Sequence, residues 1–105
     1  IRMAAKVEWG DTITLRFTTQ MQENGQWVNV DADSYEAWLE TADMEPQQIQ
    51  ELSVVREDTG KYLVSFYADK TKVESGQAYY IAFYWTKDGN RECQRELVTV
   101  VPDVK

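Results

Sequence analysis

From Thr12 onward the chain keeps returning to strict one-in, one-out alternation, and a turn cluster cuts off each alternating run. Thr12 to Thr19 places Ile13, Leu15 and Phe17 on one side and Thr14, Arg16 and Thr18 on the other. Lys61 to Ala68 sends Tyr62, Val64 and Phe66 inward against Leu63, Ser65 and Tyr67. Ala78 to Thr86 separates Tyr79, Ile81, Phe83 and Trp85 from Tyr80, Ala82 and Tyr84. A period of two residues is the repeat of a pleated strand with one face buried; a helix would repeat near 3.6. The punctuation is equally regular: Gly10-Asp11, Asn24-Gly25, Asp31-Ala32-Asp33-Ser34, Asp58-Thr59-Gly60, Ser75-Gly76-Gln77 and Asp88-Gly89-Asn90. Asn-Gly is the strongest short hairpin signal, because both residues tolerate the positive φ that a two-residue turn needs.

Further runs complete the pattern. Lys6 to Trp9 makes a short first strand with Val7 and Trp9 on one face, and Trp27 to Val30 is extended. Ser34 to Thr41 puts Tyr35, Ala37 and Leu39 on one face and Glu36, Trp38 and Glu40 on the other. A strand is expected near Leu52 to Arg56, and the last one runs from Arg91 to Val101, where Pro102 ends it for want of an amide donor. Between Ala42 and Gln50, Pro46 suits the first position of a helical turn, so this segment reads as a loop with helical character. The fold class is all-β. Seven or eight strands with a turn about every ten residues predict an immunoglobulin-like antiparallel β-sandwich. The 105 residues make a single domain, residues 1–105 with a core from about 7 to 102. The Cys…Trp…Cys pattern of antibody domains is absent, since Cys93 stands alone and the core must hold without a disulfide.

Composition narrows the chemistry. The chain has no histidine, which removes Ser-His-Asp and Cys-His catalysis and the commonest transition-metal ligand. Eighteen acidic against eleven basic residues give a net charge of −7. That balance argues against nucleic acid and against anionic membranes as partners. No apolar run approaches the roughly 20 residues needed to span a bilayer, and Ile1 to Lys6 lack the apolar stretch of an export signal. Asp31-x-Asp33, joined in principle by Asp11, Asp58 and Asp88, offers oxygen ligands for calcium. Acidic residues in turns, however, ordinarily bond the local backbone. Glu36 and Glu40 fall on one strand face about 13 Å apart. That is too far for the paired carboxylates of a glycosidase, and a solvated face is expected there. Cys93 reads as a buried small apolar residue or an edge-strand thiol rather than a reactive one. No cofactor, metal or catalytic residue is expected, and the chain reads as non-enzymatic. The candidate contact surface is built from the aromatics left outside the core: Trp27, Trp38, Tyr67, Tyr80 and Tyr84.

Four stretches carry a resemblance. They are Trp9-Gly10-Asp11-Thr12-Ile13-Thr14-Leu15-Arg16-Phe17, Asn24-Gly25 through Val30-Asp31, Asp58-Thr59-Gly60-Lys61-Tyr62, and Ser75-Gly76-Gln77-Ala78-Tyr79 through Trp85. Together they resemble the openings, hairpins and turn-to-strand motifs of immunoglobulin-like modules in tailed-phage structural proteins and bacterial surface proteins. The resemblance extends from about Val7 to Pro102. It implies a structural part of a phage virion, made in the host cytoplasm, on the capsid surface as a decoration or head-fibre protein, or in the neck or tail. Its partners would be other virion proteins or copies of itself. The alternative is an extracellular adhesion module that binds a glycan or receptor through Trp27, Trp38, Tyr80 and Tyr84.

Overall fold

The computed structural model describes residues 5–103; residues 1–4, where most of the expected non-signal segment falls, lie outside them. The described chain is all-β. Its nine strands are β1 (Ala5–Glu8), β2 (Thr12–Thr18), β3 (Gln20–Glu23), β4 (Gln26–Asn29), β5 (Ser34–Thr41), β6 (Gln48–Asp58), β7 (Lys61–Tyr67), β8 (Ala78–Lys87) and β9 (Asn90–Val101). Seven form one mixed sheet in the order β1-β9-β8-β5-β6-β7-β2, and β3 and β4 form a separate hairpin. All neighbours in the large sheet are antiparallel except β1 and β9, which run parallel.

The large sheet folds over on itself. Phe17 of β2 and Phe83 of β8 lie far apart in the strand order, yet their rings stack with centroids 5.3 Å apart. The fold-over occurs along β6, whose residues Gln48 to Leu52 pair with β5 while Ser53 to Asp58 pair with β7. On the opposite side the chain crosses between layers at Trp9-Gly10-Asp11. There the Gly10 N–H reaches the Ala68 carbonyl at 2.8 Å, and the Trp9 N–H reaches the Val101 carbonyl at 3.1 Å. The inward rows fill the space between: Tyr62, Val64 and Phe66 from β7 and Ile81 and Phe83 from β8 are fully buried. Ile13 and Leu15 pack against this core from β2. The Tyr62 ring packs tilted against Phe83 with centroids 5.4 Å apart, and its hydroxyl accepts the Ala32 N–H at 3.0 Å, so its one side-chain polar atom is satisfied inside.

The turn chemistry matches its residues. Asn24-Gly25 and Asp88-Gly89 both adopt two successive positive φ values, the conformation that lets a two-residue loop follow the strand twist. The connection after β7 is held by Asp69, whose Oδ1 accepts from the Thr71 N–H and hydroxyl at 2.9 and 2.7 Å. Val73 plugs the core from this connection, and its carbonyl accepts the Trp9 indole N–H at 3.0 Å. Near the start of β8 the Tyr79 hydroxyl reaches back to accept the Glu74 N–H at 2.9 Å, pinning the corner. Tyr79→Phe is expected to destabilise the fold by about 1 kcal/mol, read as a lower urea midpoint with unchanged slope.

Three expectations need correction. Residues 42–50 contain no helical turn. The Thr41 N–H and Gln47 carbonyl pair at 3.0 Å, and the Gln47 N–H bonds the Thr41 hydroxyl at 2.8 Å. These bonds close a short loop and start β6 at Gln48, earlier than the expected Leu52. The strand count is nine among the described residues, because Gln20 to Glu23 pairs with β4 as a strand of its own. Polar at every position but Met21, it shows no alternation to read. The Glu36–Glu40 face is not evenly solvated, because Glu40 is only 1% exposed.

Candidate functional site

The outer face of the β9-β8-β5 layer holds the densest constellation of polar and aromatic side chains. Its rows follow from strand register. Glu36 of β5 lies opposite Tyr84 of β8, which lies opposite Cys93 of β9. One step along, Trp38 is opposite Ala82 and Ala82 opposite Arg95; the next row is Glu40, Tyr80 and Leu97. Ala82 points outward yet is fully buried. Its directly facing neighbours, Trp38 and Arg95, are the long side chains able to cover a residue this small.

Glu40 is the anchor. Its Oε2 accepts the Tyr84 hydroxyl proton, and its Oε1 accepts from Arg95 Nε at 3.0 Å. Arg95 Nη2 also donates to the Tyr84 hydroxyl at 3.0 Å, closing a three-membered network. Beside it Arg91 Nη2 donates to Glu36 Oε1 at 3.0 Å. Both guanidinium groups lie over the Tyr84 ring, Arg91 at 4.8 Å from its centroid and Arg95 at 5.7 Å. Desolvating a carboxylate as completely as Glu40 is tolerated only because charge and hydrogen-bond partners are supplied together.

The titration behaviour follows from this packing. Burial, and after it the hydrogen bond to Glu40, pushes the Tyr84 phenol up to about 12. Glu36 is held below the usual carboxylate range by Arg91 first and by the Trp38 indole second. That indole contact falls short of hydrogen-bond geometry, and Trp38 Nε1 stays buried without an acceptor. Cys93 is exposed and not buried as one reading of the sequence had it; partial desolvation of its thiol still raises it above its ordinary value, against the pull of Arg95 and Arg91. A thiol so shifted is less ionised at neutral pH than a free one, the reverse of what a nucleophile requires. For Tyr84 the sign is that of an acid stabilised in its neutral form. Its contribution to stability is complete below pH ~10, the unfolded value, and is lost as the pH climbs through about 12. A phenolate absorbance titration is expected to show a late step near 12 that Tyr84→Phe removes.

Three of the five candidate contact residues therefore share one face: Trp38, Tyr80 and Tyr84. The other two lie elsewhere. Tyr67 ends β7 opposite Thr12 in the other layer and is 53% exposed. Trp27 sits on the β3–β4 hairpin, 63% exposed, and lines a separate groove. The two turn aspartates do not converge. Asp31 takes a two-point contact from Arg56 at 3.0 and 3.1 Å and the Gly60 N–H at 3.0 Å. Asp33 accepts the Asp88 N–H at 3.0 Å and faces Lys87. Among the described residues no three acidic, cysteine or histidine side chains cluster as a metal ion would require. Glu40, Arg91 and Arg95 are central to the face yet absent from the candidates. Counting back from the Asp88-Gly89 turn would have placed Arg91 and Arg95 diagonally beside Tyr84. No protein-family model matches the chain, and no curated protein matches it.

Proposed function

We propose that the chain is an immunoglobulin-like β-sandwich module, non-enzymatic, that works as a structural part of a phage virion through protein–protein contacts. The strand wiring supports the fold half of this reading. β2 neighbours β7, and β5, β8 and β9 are consecutive in the strand order, which is the neighbour order that strands B and E and strands C, F and G have in that fold. The hydroxyl of Tyr79, which accepts the Glu74 N–H near the start of β8, supports the same reading, since it does what the tyrosine corner of that fold does. The virion assignment, on a capsid surface or in a neck or tail, rests on the motif resemblance.

The observation that carries the contact role is the locked Glu40–Tyr84–Arg95 network under Arg91, with Trp38 and Tyr80 beside it. Tyr, Trp and Arg are the residues enriched where proteins meet. Here they are held by strand register and hydrogen bonds, so little side-chain freedom remains to be lost on docking. The same geometry disfavours glycan stacking on this face, because guanidinium groups already cover the Tyr84 ring. The test is co-banding. Particles purified from the source by density gradient are expected to retain the chain at a fixed copy number. Particles consistently free of it would contradict the virion assignment.

A further inference from the structure

We infer that the groove between the β3–β4 and β8–β9 hairpins is a binding site for a neutral oligosaccharide. The groove encloses about 520 Å³, within the roughly 300–1,000 Å³ typical of small-ligand sites. Its walls are side chains on two strand faces, and strand register identifies both. On β8 and β9, the lining residues Trp85, Lys87, Asn90, Glu92 and Gln94 share the core-facing row. Trp85 lies opposite Glu92, Lys87 opposite Asn90, and the buried Phe83 opposite Gln94. On the other hairpin Gln20, Gln22 and Trp27 share one face, with Gln22 opposite Trp27. The inward row of β8 and β9 thus runs past the end of the packed core. Trp85 is buried there, while its neighbours Glu92 and Asn90 are exposed.

The residue types select the ligand. Four carboxamides line the groove, those of Gln20, Gln22, Asn90 and Gln94. A carboxamide both donates and accepts, as a sugar hydroxyl does, so the two match in either direction. Two of these amides are already oriented. Gln20 Nε2 donates to Asn29 Oδ1, and Gln94 Nε2 donates to the Thr18 carbonyl, both at 2.9 Å. Each keeps its Oε1 as an acceptor, and its side chain has little freedom left to lose when a ligand binds. The exposed Trp27 ring offers an apolar plate for the C–H face of a sugar ring.

Charge and wall geometry narrow the class further. On a chain of net charge −7, the charged lining residues are Lys87 and Glu92, of opposite sign. The groove therefore has no net charge of its own with which to select an ion. A peptide strand is taken up through backbone amides along a strand edge, whereas these walls present side chains. The site uses none of the Trp38, Tyr80 and Tyr84 face, so it stands or falls separately from the proposed function.

The test is a titration of the isotope-labelled full chain, followed through its side-chain amide and indole N–H resonances. The probes are cellohexaose, maltohexaose, mannohexaose, xylohexaose and chitohexaose, each raised to about 5 mM, enough to detect a millimolar site. Hexagalacturonate and an uncharged peptide alternating Thr with Val serve as the charged and peptide comparisons. At least one neutral hexasaccharide is expected to shift the amide signals of Gln22, Asn90 and Gln94 and the indole signal of Trp27, leaving the Trp38 indole in place. Trp27→Ala, at an exposed position, is expected to weaken that sugar about tenfold, while Trp27→Tyr keeps most of the affinity. The inference is overturned if no neutral hexasaccharide shifts those signals, whether or not hexagalacturonate or the peptide does. It is equally overturned if the shifts fall on Trp38 instead, or if Trp27→Ala binds as tightly as the parent chain.

Discussion

Gly60→Ala is expected to be among the most damaging single substitutions in this chain, lowering stability by about 3 kcal/mol. Two independent penalties add. Gly60 has φ +67°, a region that side chains with a Cβ rarely adopt. The added Cβ would also lie 2.8 Å from the Thr19 carbonyl oxygen, 3.0 Å from Asn29 Cβ and 3.0 Å from the Val30 nitrogen. Those neighbours cannot give way cheaply. The Thr19 N–H bonds the Gly60 carbonyl at 2.8 Å, and the Val30 N–H bonds the Thr19 carbonyl at 3.1 Å. Asp31 grips the same turn through the Gly60 N–H. Gly10 supplies the comparison: its φ is also positive, but nothing lies within 4 Å of a Cβ there. Gly10→Ala should therefore cost only about 1 kcal/mol, from the backbone conformation alone. Urea midpoints of the two variants measure the difference, and equal midpoints would show that the Thr19 approach is not a constraint.

Glu40→Ala is the second large effect, at about 3 kcal/mol. The substitution removes the acceptor of the Tyr84 hydroxyl and the partner of Arg95 at a site 1% exposed. Arg95 is 38% exposed and recovers part of its hydration, which holds the cost to the lower end for a broken buried pair. A second readout separates this network from generic packing loss. Without the Glu40 hydrogen bond the Tyr84 phenol falls below its value of about 12, while burial, the larger cause, keeps it above its ordinary value. A stability loss with no change in the Tyr84 titration would mean that Glu40 acts only by filling space.

Most of the core was legible because its period is unambiguous. Tyr62, Val64, Phe66, Ile81, Phe83 and Trp85 are all buried as the alternation requires. Ser34–Thr41 begins and ends where its residue types change. What escaped the sequence is long-range. β3 carries no hydrophobic alternation and exists as a strand because the Asn24-Gly25 turn folds it onto β4. β6 reads as one strand, but its switch between layers at Leu52/Ser53 depends on which neighbours it meets. The outer face was half visible. Parity put Tyr80 and Tyr84 on one face of their strand and Trp38 on one face of another; only the β5–β8 pairing makes these the same face. Glu40 looked like one more solvated carboxylate, because burial of a charge is decided by a partner 55 residues away, Arg95.

The central claim is that the Trp38–Tyr80–Tyr84 face is where this module meets its neighbours. Hydroxyl-radical footprinting of the chain free and in purified particles tests it most directly. The account predicts that Trp38, Tyr80 and Tyr84 lose labelling in the particle while Tyr67, in the other layer, keeps it. Unchanged labelling of those three residues in particle-bound chain would contradict it.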